Sequence, residues 1–504
     1  MVKPDASRST PPRSDQLGPQ AEKSARSRPV ATFATWRSIV LLLIALTWPN
    51  ITGEATGVPH GSYFGCMALS RTTWCMGGRA VELALFGVVF LIAILAGWQV
   101  HGRDTDAFLW HYSDNLGYYQ WLPGSIINHD IDRMFWQYQL PSGKYLSIFT
   151  FGVALMQLPF FLLGHVWALA FGHPTTGFST PYAVTILASS VTYSALGCVM
   201  AFRLARRFAA WPYALAAATL LFLGTNLLYY SAHEANMSHS YSFFLMGLFA
   251  WSTLRVLSGP QKMAAVLWVA SLGMLVFVRQ LNVIALLFPA LLALRDPGGM
   301  RGFMRNLLAH RTAFFLSAAL SAIPYFLMVA YWIRITGSPF VFSYGVKGEH
   351  FEWDRMVPLA VLASVRNGWL VYSPIMIPVI TWLIITAWKG LRSARAILVM
   401  VLLTCLIYSA WWSWHLGTSY GHRGFIDLYA LLAIPLAGLL RWLWHRGRTV
   451  RIASATALFL LIWLNLGLTE RYTWHWSQDD WTWGQLGGQV EDVFALRYRP
   501  VGER

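Results

Sequence analysis

Long apolar runs alternate with short polar ones along almost the whole chain. Residues 81–100 form the first run of membrane length, broken only by Glu82. Further apolar runs follow at 147–172, 182–202, 212–230, 240–256, 263–278, 281–294, 312–333, 369–388, 396–411, 425–440 and 452–468. Because roughly 20 apolar residues of helix cross a bilayer, the pattern predicts an all-α polytopic integral membrane protein with about 11 to 13 transmembrane helices. Residues 39–48 are apolar over only half that length, and 1–36 are rich in Ser, Pro and Arg with no periodicity, which predicts a disordered basic cytoplasmic tail. The organisation expected is therefore a tail (1–36), an extra hydrophobic segment and loop (37–80), a membrane domain (81–470) whose first outer loop spans about 101–181, and a Trp-rich C-terminal tail on the outer side (471–504).

Basic residues orient the spans. Beyond residue 200, one set of loops holds Arg203, Arg206, Arg207, Arg255, Lys262, Arg295, Arg301, Arg305, Arg311, Lys389, Arg392, Arg395, Arg441, Arg446, Arg448 and Arg451. The alternate set holds only Arg279, Arg334, Lys347, Arg355, Arg366 and Arg423, and the positive-inside rule makes the richer side cytoplasmic. For the first 180 residues charge leaves two topologies. If 39–48 and 147–172 both cross, the loop between the first spans is cytoplasmic; if neither does, it lies outside with the other polar loops. The shortness of the first segment, and the Pro, Gly and His of the second, which suit a helix lying along the interface, favour the outside arrangement.

Composition agrees with a membrane domain carrying little soluble mass: 56% of residues are hydrophobic, 12% are charged, and mean hydropathy is +0.46. The net charge of +16 sits in short loops between spans, which argues against nucleic-acid binding. Of four cysteines, Cys198 and Cys405 fall inside apolar runs, and Cys66 and Cys75 share a polar loop in which they can pair if it lies outside.

In so apolar a chain, the stretch 111–145 (HYSDNLGYYQWLPGSIINHDIDRMFWQYQLPSGKY) stands out, gathering Asp114, Asp130, Asp132, His129, Arg133 and Lys144 among tyrosines. The order of features from this stretch to the late polar loops resembles the GT-C superfamily of membrane glycosyltransferases, in particular bacterial relatives of the protein O-mannosyltransferases and the lipid A aminoarabinose transferase. The matching residues are SDNLGYYQWLP from Ser113, INHD and GKY after it, MSHSYSF (237–243), FVRQ (277–280), GSPFVFSYG (337–345), SVRNGWLVYSP (364–374) and SYGHRGFID (419–427). The chain departs from the pattern in its extra N-terminal segment and in Gln280, where a proline is more usual.

The resemblance implies an inverting transfer of a sugar from a polyprenyl-phosphate donor to an acceptor hydroxyl outside the cytoplasmic leaflet of a bacterial inner membrane; no cofactor is expected. One carboxylate suffices as base because phosphate already leaves readily. Asp114 is the candidate; the alternative is that it caps a helix starting at Leu116. Lys144 and Arg279 are the candidates for the donor phosphate, against interfacial snorkelling for the lysine and a helix-end position for the arginine. Tyr118, Tyr119, Asp130, Tyr145, His239, Tyr344, Arg366, Tyr420, His422 and Arg423 are candidate substrate contacts, although Arg366 and Arg423 can equally pair with Glu349, Glu352 or Asp427. No histidine pair has the third ligand a metal site needs. The tryptophans of 411–415 and 471–484 suit sugar stacking or an interfacial belt. A lipid-linked glycan polymerase or ligase would rely on late-loop Arg and His rather than Asp114. A transporter would place ionisable residues at span midpoints or show repeats, and neither is seen.

Overall fold

The structure is a computed structural model describing residues 77–102, 105–110, 113–294 and 298–497. The predicted tail, the short apolar segment at 39–48, His111 and the Cys66–Cys75 loop lie outside the described residues. Contacts divide the chain into one unit of 1–65 with 487–504 and another of 66–486. In the first, the described residues 487–497 are mostly helical. The second holds the apolar helices and the polar loops between them.

Its helices are α1 (Gly77–His101), α2 (Thr105–Trp110), α3 (Asp114–Tyr119), α4 (Gly152–Ala170), α5 (Thr180–Ala205), α6 (Trp211–Leu223), α7 (Leu227–Ala232), α8 (His239–Leu257) and α9 (Lys262–Val278). There follow α10 (Leu287–Ala293), α11 (Gly299–Leu308), α12 (Arg311–Thr336), α13 (Pro358–Ala363), α14 (Trp369–Tyr372), α15 (Met376–Trp388), α16 (Arg392–Ser409), α17 (Tyr429–Trp444) and α18 (Arg448–Arg471). Among the described residues, 7 helices are long and apolar enough to cross a membrane, and four shorter apolar ones accompany them (Trp211–Leu223, Lys262–Val278, Gln280–Ala293 and Met376–Trp388). The all-α polytopic architecture expected from the hydropathy pattern is thus present. A two-stranded ribbon, Tyr138–Gln139 against Tyr145–Leu146, is the sheet found among the described residues.

Boundaries follow local chemistry. Pro181 occupies the first turn of α5, where its missing N–H costs nothing, and Gly337 ends α12 at φ 79°, a left-handed position that glycine takes without strain. Three apolar runs prove to be interrupted. The run 212–230 breaks at Gly224–Asn226 into α6 and α7, 281–294 opens with a tighter 3-10 segment (Gln280–Leu286), and 369–388 breaks before Met376 into α14 and α15. At each break the backbone turns where loops carry polar side chains. α11 is amphipathic: Phe303 and Leu307, four apart and so on one face, are buried beside Val256, Ala264, Ala265 and Ala293, while Arg301 and Arg305 face outward. Each such buried side chain contributes about 1.5 to 3 kcal/mol.

α1 and α5 run antiparallel and define the two ends of the unit. At one end Arg203 makes a two-point ion pair with Glu82 (2.6 and 2.9 Å). At the other, Gly97 leaves room for Leu187, and His101 Nε2 lies 3.1 and 3.0 Å from the carbonyls of Ala232 and His233. α4 is long and apolar enough to cross a membrane, and it packs along α5 and against the end of α9. Gly152 packs directly on the backbone of Phe277–Val278, Tyr193 donates to the Met156 carbonyl, and Gly164 and His165 meet Pro181 and Tyr182 at the start of α5. α4 therefore runs antiparallel against the N-terminal half of α5.

Candidate active site

Ser113, not Asp114, caps α3: its side chain accepts from the Asn115 backbone N–H, and Asp114 is the first helical residue. The helix-cap alternative for Asp114, and a helix start at Leu116, are both corrected by this geometry. The carboxylate is directed across the molecule, where Arg423 Nη2 donates to Asp114 Oδ2 at 2.9 Å. Gly117, on the next turn, lets α3 pack directly on Trp136 and Phe149, which a Cβ there would meet at 2.4 and 2.5 Å.

A second ion pair lies beside the first. Arg279 follows α9 in extended conformation, and its Nε stands 3.0 Å from Oδ2 of buried Asp427. Its remaining nitrogens reach Ser238 Oγ (3.0 Å), Tyr408 OH (2.5 Å) and His239 Nε2 (3.4 Å), while His239 Nδ1 lies 3.5 Å from Asp427 Oδ1. Tyr408 reaches the arginine because residue 424 is glycine; a Cβ at Gly424 would stand 2.2 Å from the Tyr408 ring. Asp427, an expected partner for Arg366 or Arg423, belongs instead to Arg279 and His239, and Arg423 belongs to Asp114.

Tyr118 and Tyr344 join the two pairs. Tyr118 is buried, hydrogen-bonds Ser238 and feels the charges of Arg279, Asp114 and Arg423. It packs on Phe149 at 4.2 Å, and Phe149 meets Tyr344 edge-on at 5.8 Å. Burial pushes the Tyr344 hydroxyl well above its usual pKa, so it is a neutral donor at physiological pH. Asn115 continues the cluster to Glu234, donating from its side-chain amide to the Glu234 carboxylate.

Lys347 was not singled out by its sequence surroundings. It lies 2.9 Å from Glu349 Oε1, hydrogen-bonds Tyr138, stands 5.8 Å from the Trp136 ring centre and feels the charge of Asp114. Burial opposes its charge, but the Glu349 carboxylate outweighs burial and raises its pKa above the ordinary lysine value. A basic residue following the FSYG match within a polar loop was the available signal.

Other predicted residues are placed elsewhere. Lys144 is exposed in the turn of the two-stranded ribbon, and its ammonium donates to the Arg334 carbonyl at 2.6 Å, which ties it to α12. Asp130 Oδ1 accepts from the N–H groups of Asp132 (3.0 Å) and Arg133 (3.1 Å), forming a surface turn, and Arg133 stacks over Tyr145 at 5.3 Å. Tyr119 is wholly buried and donates to the Gly177 carbonyl. Tyr420 and His422 are also buried, the first bonded to Asn465 (3.2 Å), the second 3.0 Å from the Trp414 carbonyl.

Arg366 belongs to a separate cluster with a C-terminal strap, residues 472–483. Its Nε donates to the Ser477 carbonyl at 3.2 Å, Nη1 bonds Asp479, and Nη2 lies 3.0 Å from His415 Nε2. Burial, with Arg366 adding repulsion, lowers His415 to a pKa of about 4. Of the strap tryptophans, Trp476 and Trp481 stack on one another at 5.0 Å and are buried, whereas Trp474 and Trp483 are exposed. Among the described residues no cluster of His, Cys, Asp or Glu has the geometry to hold a metal ion.

No protein-family model matches the sequence, and no curated protein matches it. Among solved structures, the oligosaccharyltransferase of Archaeoglobus fulgidus in its apo form aligns with TM-score 0.43 and 14% identity, over 82% of this chain and 54% of its own length. The chain thus spans about half the length of that protein.

Proposed function

We propose that this chain is an inverting membrane glycosyltransferase of the GT-C type, moving a sugar from a polyprenyl-phosphate donor to an acceptor hydroxyl on the outer face of the membrane. The observation that carries the reading is convergence. Five separate stretches singled out in the sequence, around Asp114, Ser238–His239, Arg279, Tyr344 and Arg423–Asp427, supply one partly open cluster of two carboxylates, two arginines and two tyrosines.

In this reading Asp114 is the base. The acceptor O–H gives its proton to the carboxylate as the acceptor oxygen bonds the anomeric carbon, and the bond from that carbon to phosphate breaks with its electron pair leaving on polyprenyl phosphate. Arg423 supplies the switch. Its guanidinium holds Asp114, and an arriving phosphate competes for the same N–H donors, leaving the carboxylate free to face the acceptor. Arg279, held by Asp427 and Tyr408, presents its 16% of exposed surface to the same phosphate, with Lys347 at the rim.

The cluster lies at the end of the helices opposite the Glu82–Arg203 pair. With the arginine-rich loops cytoplasmic, it faces the periplasm or exterior. The deciding experiment is mass spectrometry of envelope glycolipids and glycoproteins from cells with and without the gene, followed by transfer assays with the purified chain and the donor so identified. An unchanged glycome would sink the reading. Loss of long glycans with the single-sugar modifications intact would favour a polymerase or ligase.

A further inference from the structure

Far from the Asp114 cluster, α15, α17 and α18 enclose a cavity of about 570 Å³ that opens sideways along the helices. Trp382, Leu439, Trp442 and Ala457 form much of its wall, and Thr381 and Ser454 supply its few polar atoms. The two indoles lie 5.3 Å apart, and Gly438 leaves space for Trp382, whose Nε1 would be 3.0 Å from a Cβ there. Ala457 and Ile377 are exposed, so among the described residues the cavity is not sealed by protein.

One end of this groove is strongly cationic. Trp442 carries the Arg446 guanidinium over its ring at 4.3 Å, and Arg448 and Arg451 begin the adjoining α18, with Lys389 closing α15. No Asp or Glu occurs between Asp354 and Asp427, or between Asp427 and Glu470. The segments forming the groove and its mouth therefore contain no carboxylate to balance these charges.

We infer that the groove is a binding site for an anionic phospholipid of the arginine-rich leaflet, its acyl chain lying between α15, α17 and α18 and its phosphate meeting Arg446 and Arg448. The apolar wall suits a hydrocarbon tail, and arginines with no carboxylate on their own segments suit an anionic headgroup at one end. The donor of the proposed reaction does not fit the mouth. Trp442 lies 19 residues beyond Arg423 on a helical path, or ~28 Å along the axis, so the two polar ends serve opposite leaflets.

The test uses the full-length protein in detergent with a phosphatidylglycerol bearing a diazirine in its acyl chain, labelled sites being mapped by mass spectrometry. Label is expected within 375–385, 436–443 and 454–461. Unlabelled dioleoylphosphatidylglycerol should displace it at roughly thirtyfold lower concentration than dioleoylphosphatidylcholine, the preference two surface arginines provide. Arg446→Gln with Arg448→Gln should make the two competitors equal, and Ala457→Trp should abolish labelling by filling the groove. Should the tryptophan variant fail to fold, the glutamine variant still decides the headgroup contact. Labelling elsewhere, or equal displacement in the unaltered protein, overturns the site. Stronger displacement by a C55 isoprenyl phosphate overturns it in favour of the donor chain. None of these outcomes depends on transfer activity, so this inference and the proposed function fail separately.

Discussion

Asp114 and Arg423 are 309 residues apart in the chain, yet their side chains meet at 2.9 Å. The pair joins the first turn of α3 to the 3-10 segment (Arg423–Leu428) that leads into α17. Neither residue's hydropathy surroundings select the other as its partner.

Asp114→Asn is expected to lower turnover roughly 10²- to 10⁴-fold at saturating donor, because an amide cannot accept the acceptor proton. The fold should be retained, since Ser113 and not Asp114 caps α3 and the Asp114–Arg423 pair is more exposed than the Asp427–Arg279 pair, although some loss of melting temperature is expected. Asp130→Asn is the control: its oxygen accepts two backbone N–H bonds in a surface turn, and an amide oxygen does the same. Turnover assays and thermal melts of both variants decide. Near-normal activity of the first would move the base away from Asp114.

Lys347→Gln should weaken donor binding about tenfold or more, the worth of one charged hydrogen bond to phosphate, while Lys144→Gln should leave it near normal. The reason is placement, since Lys347 feels the Asp114 charge and Lys144 is bonded to the Arg334 carbonyl. Titration with the donor distinguishes them, and the reverse order would return the phosphate to Lys144, as expected from the GKY match.

Arg279→Gln should be poorly stable as well as inactive. The position between two apolar runs suggests that a neutral residue is easily accommodated, but the arginine neutralises buried Asp427, and removing one member of such a pair costs about 3 to 5 kcal/mol. Arg279→Gln combined with Asp427→Asn should recover much of the melting temperature without recovering activity. A double variant no more stable than the single one would argue against the pairing.

Gly424→Ala should disturb the site without touching a charge. Its methyl would press on the Tyr408 ring and push the hydroxyl off Arg279, an overpacking cost of about 1 to 3 kcal/mol. Adding Tyr408→Ala should restore stability but not turnover. A Gly424→Ala enzyme with normal melting temperature and rate would count against this geometry.

Stability should rise with pH between about 4 and 6.5. His415, which accepts from Arg366 at 3.0 Å, has a folded pKa lowered to about 4, so in that window the unfolded chain binds more protons than the folded one. Its stabilising contribution is complete above 6.5 and is lost as pH falls towards 4. His422, buried and lowered to about 3, adds in the same direction. Arg366, Ser413, Asp479 and Arg423 are the groups facing or influencing His415. His415→Gln should flatten part of the dependence of melting temperature on pH; an unchanged slope would assign the whole effect to other groups.

The architecture was readable from sequence because burial in a bilayer is a one-dimensional property. A helix satisfies its own backbone and must be apolar over its length, so run length and loop charge reveal spans without knowledge of their neighbours. The stretches around Asp114, His239, Arg279, Tyr344 and Arg423 were found the same way, as polar residues interrupting an apolar text. Pairing was left open by the chain alone. Asp427 is four residues from Arg423 yet serves Arg279, Arg366 joins Asp479 in the C-terminal strap, and the lysine beside the cluster is Lys347 rather than Lys144. Ion pairs are satisfied by whichever opposite charge the packing brings within a few ångströms, and that distance is set by how α3, α8, α9 and α17 lie against one another. Sequence determined which side chains were available, and only the tertiary arrangement decided which of them met.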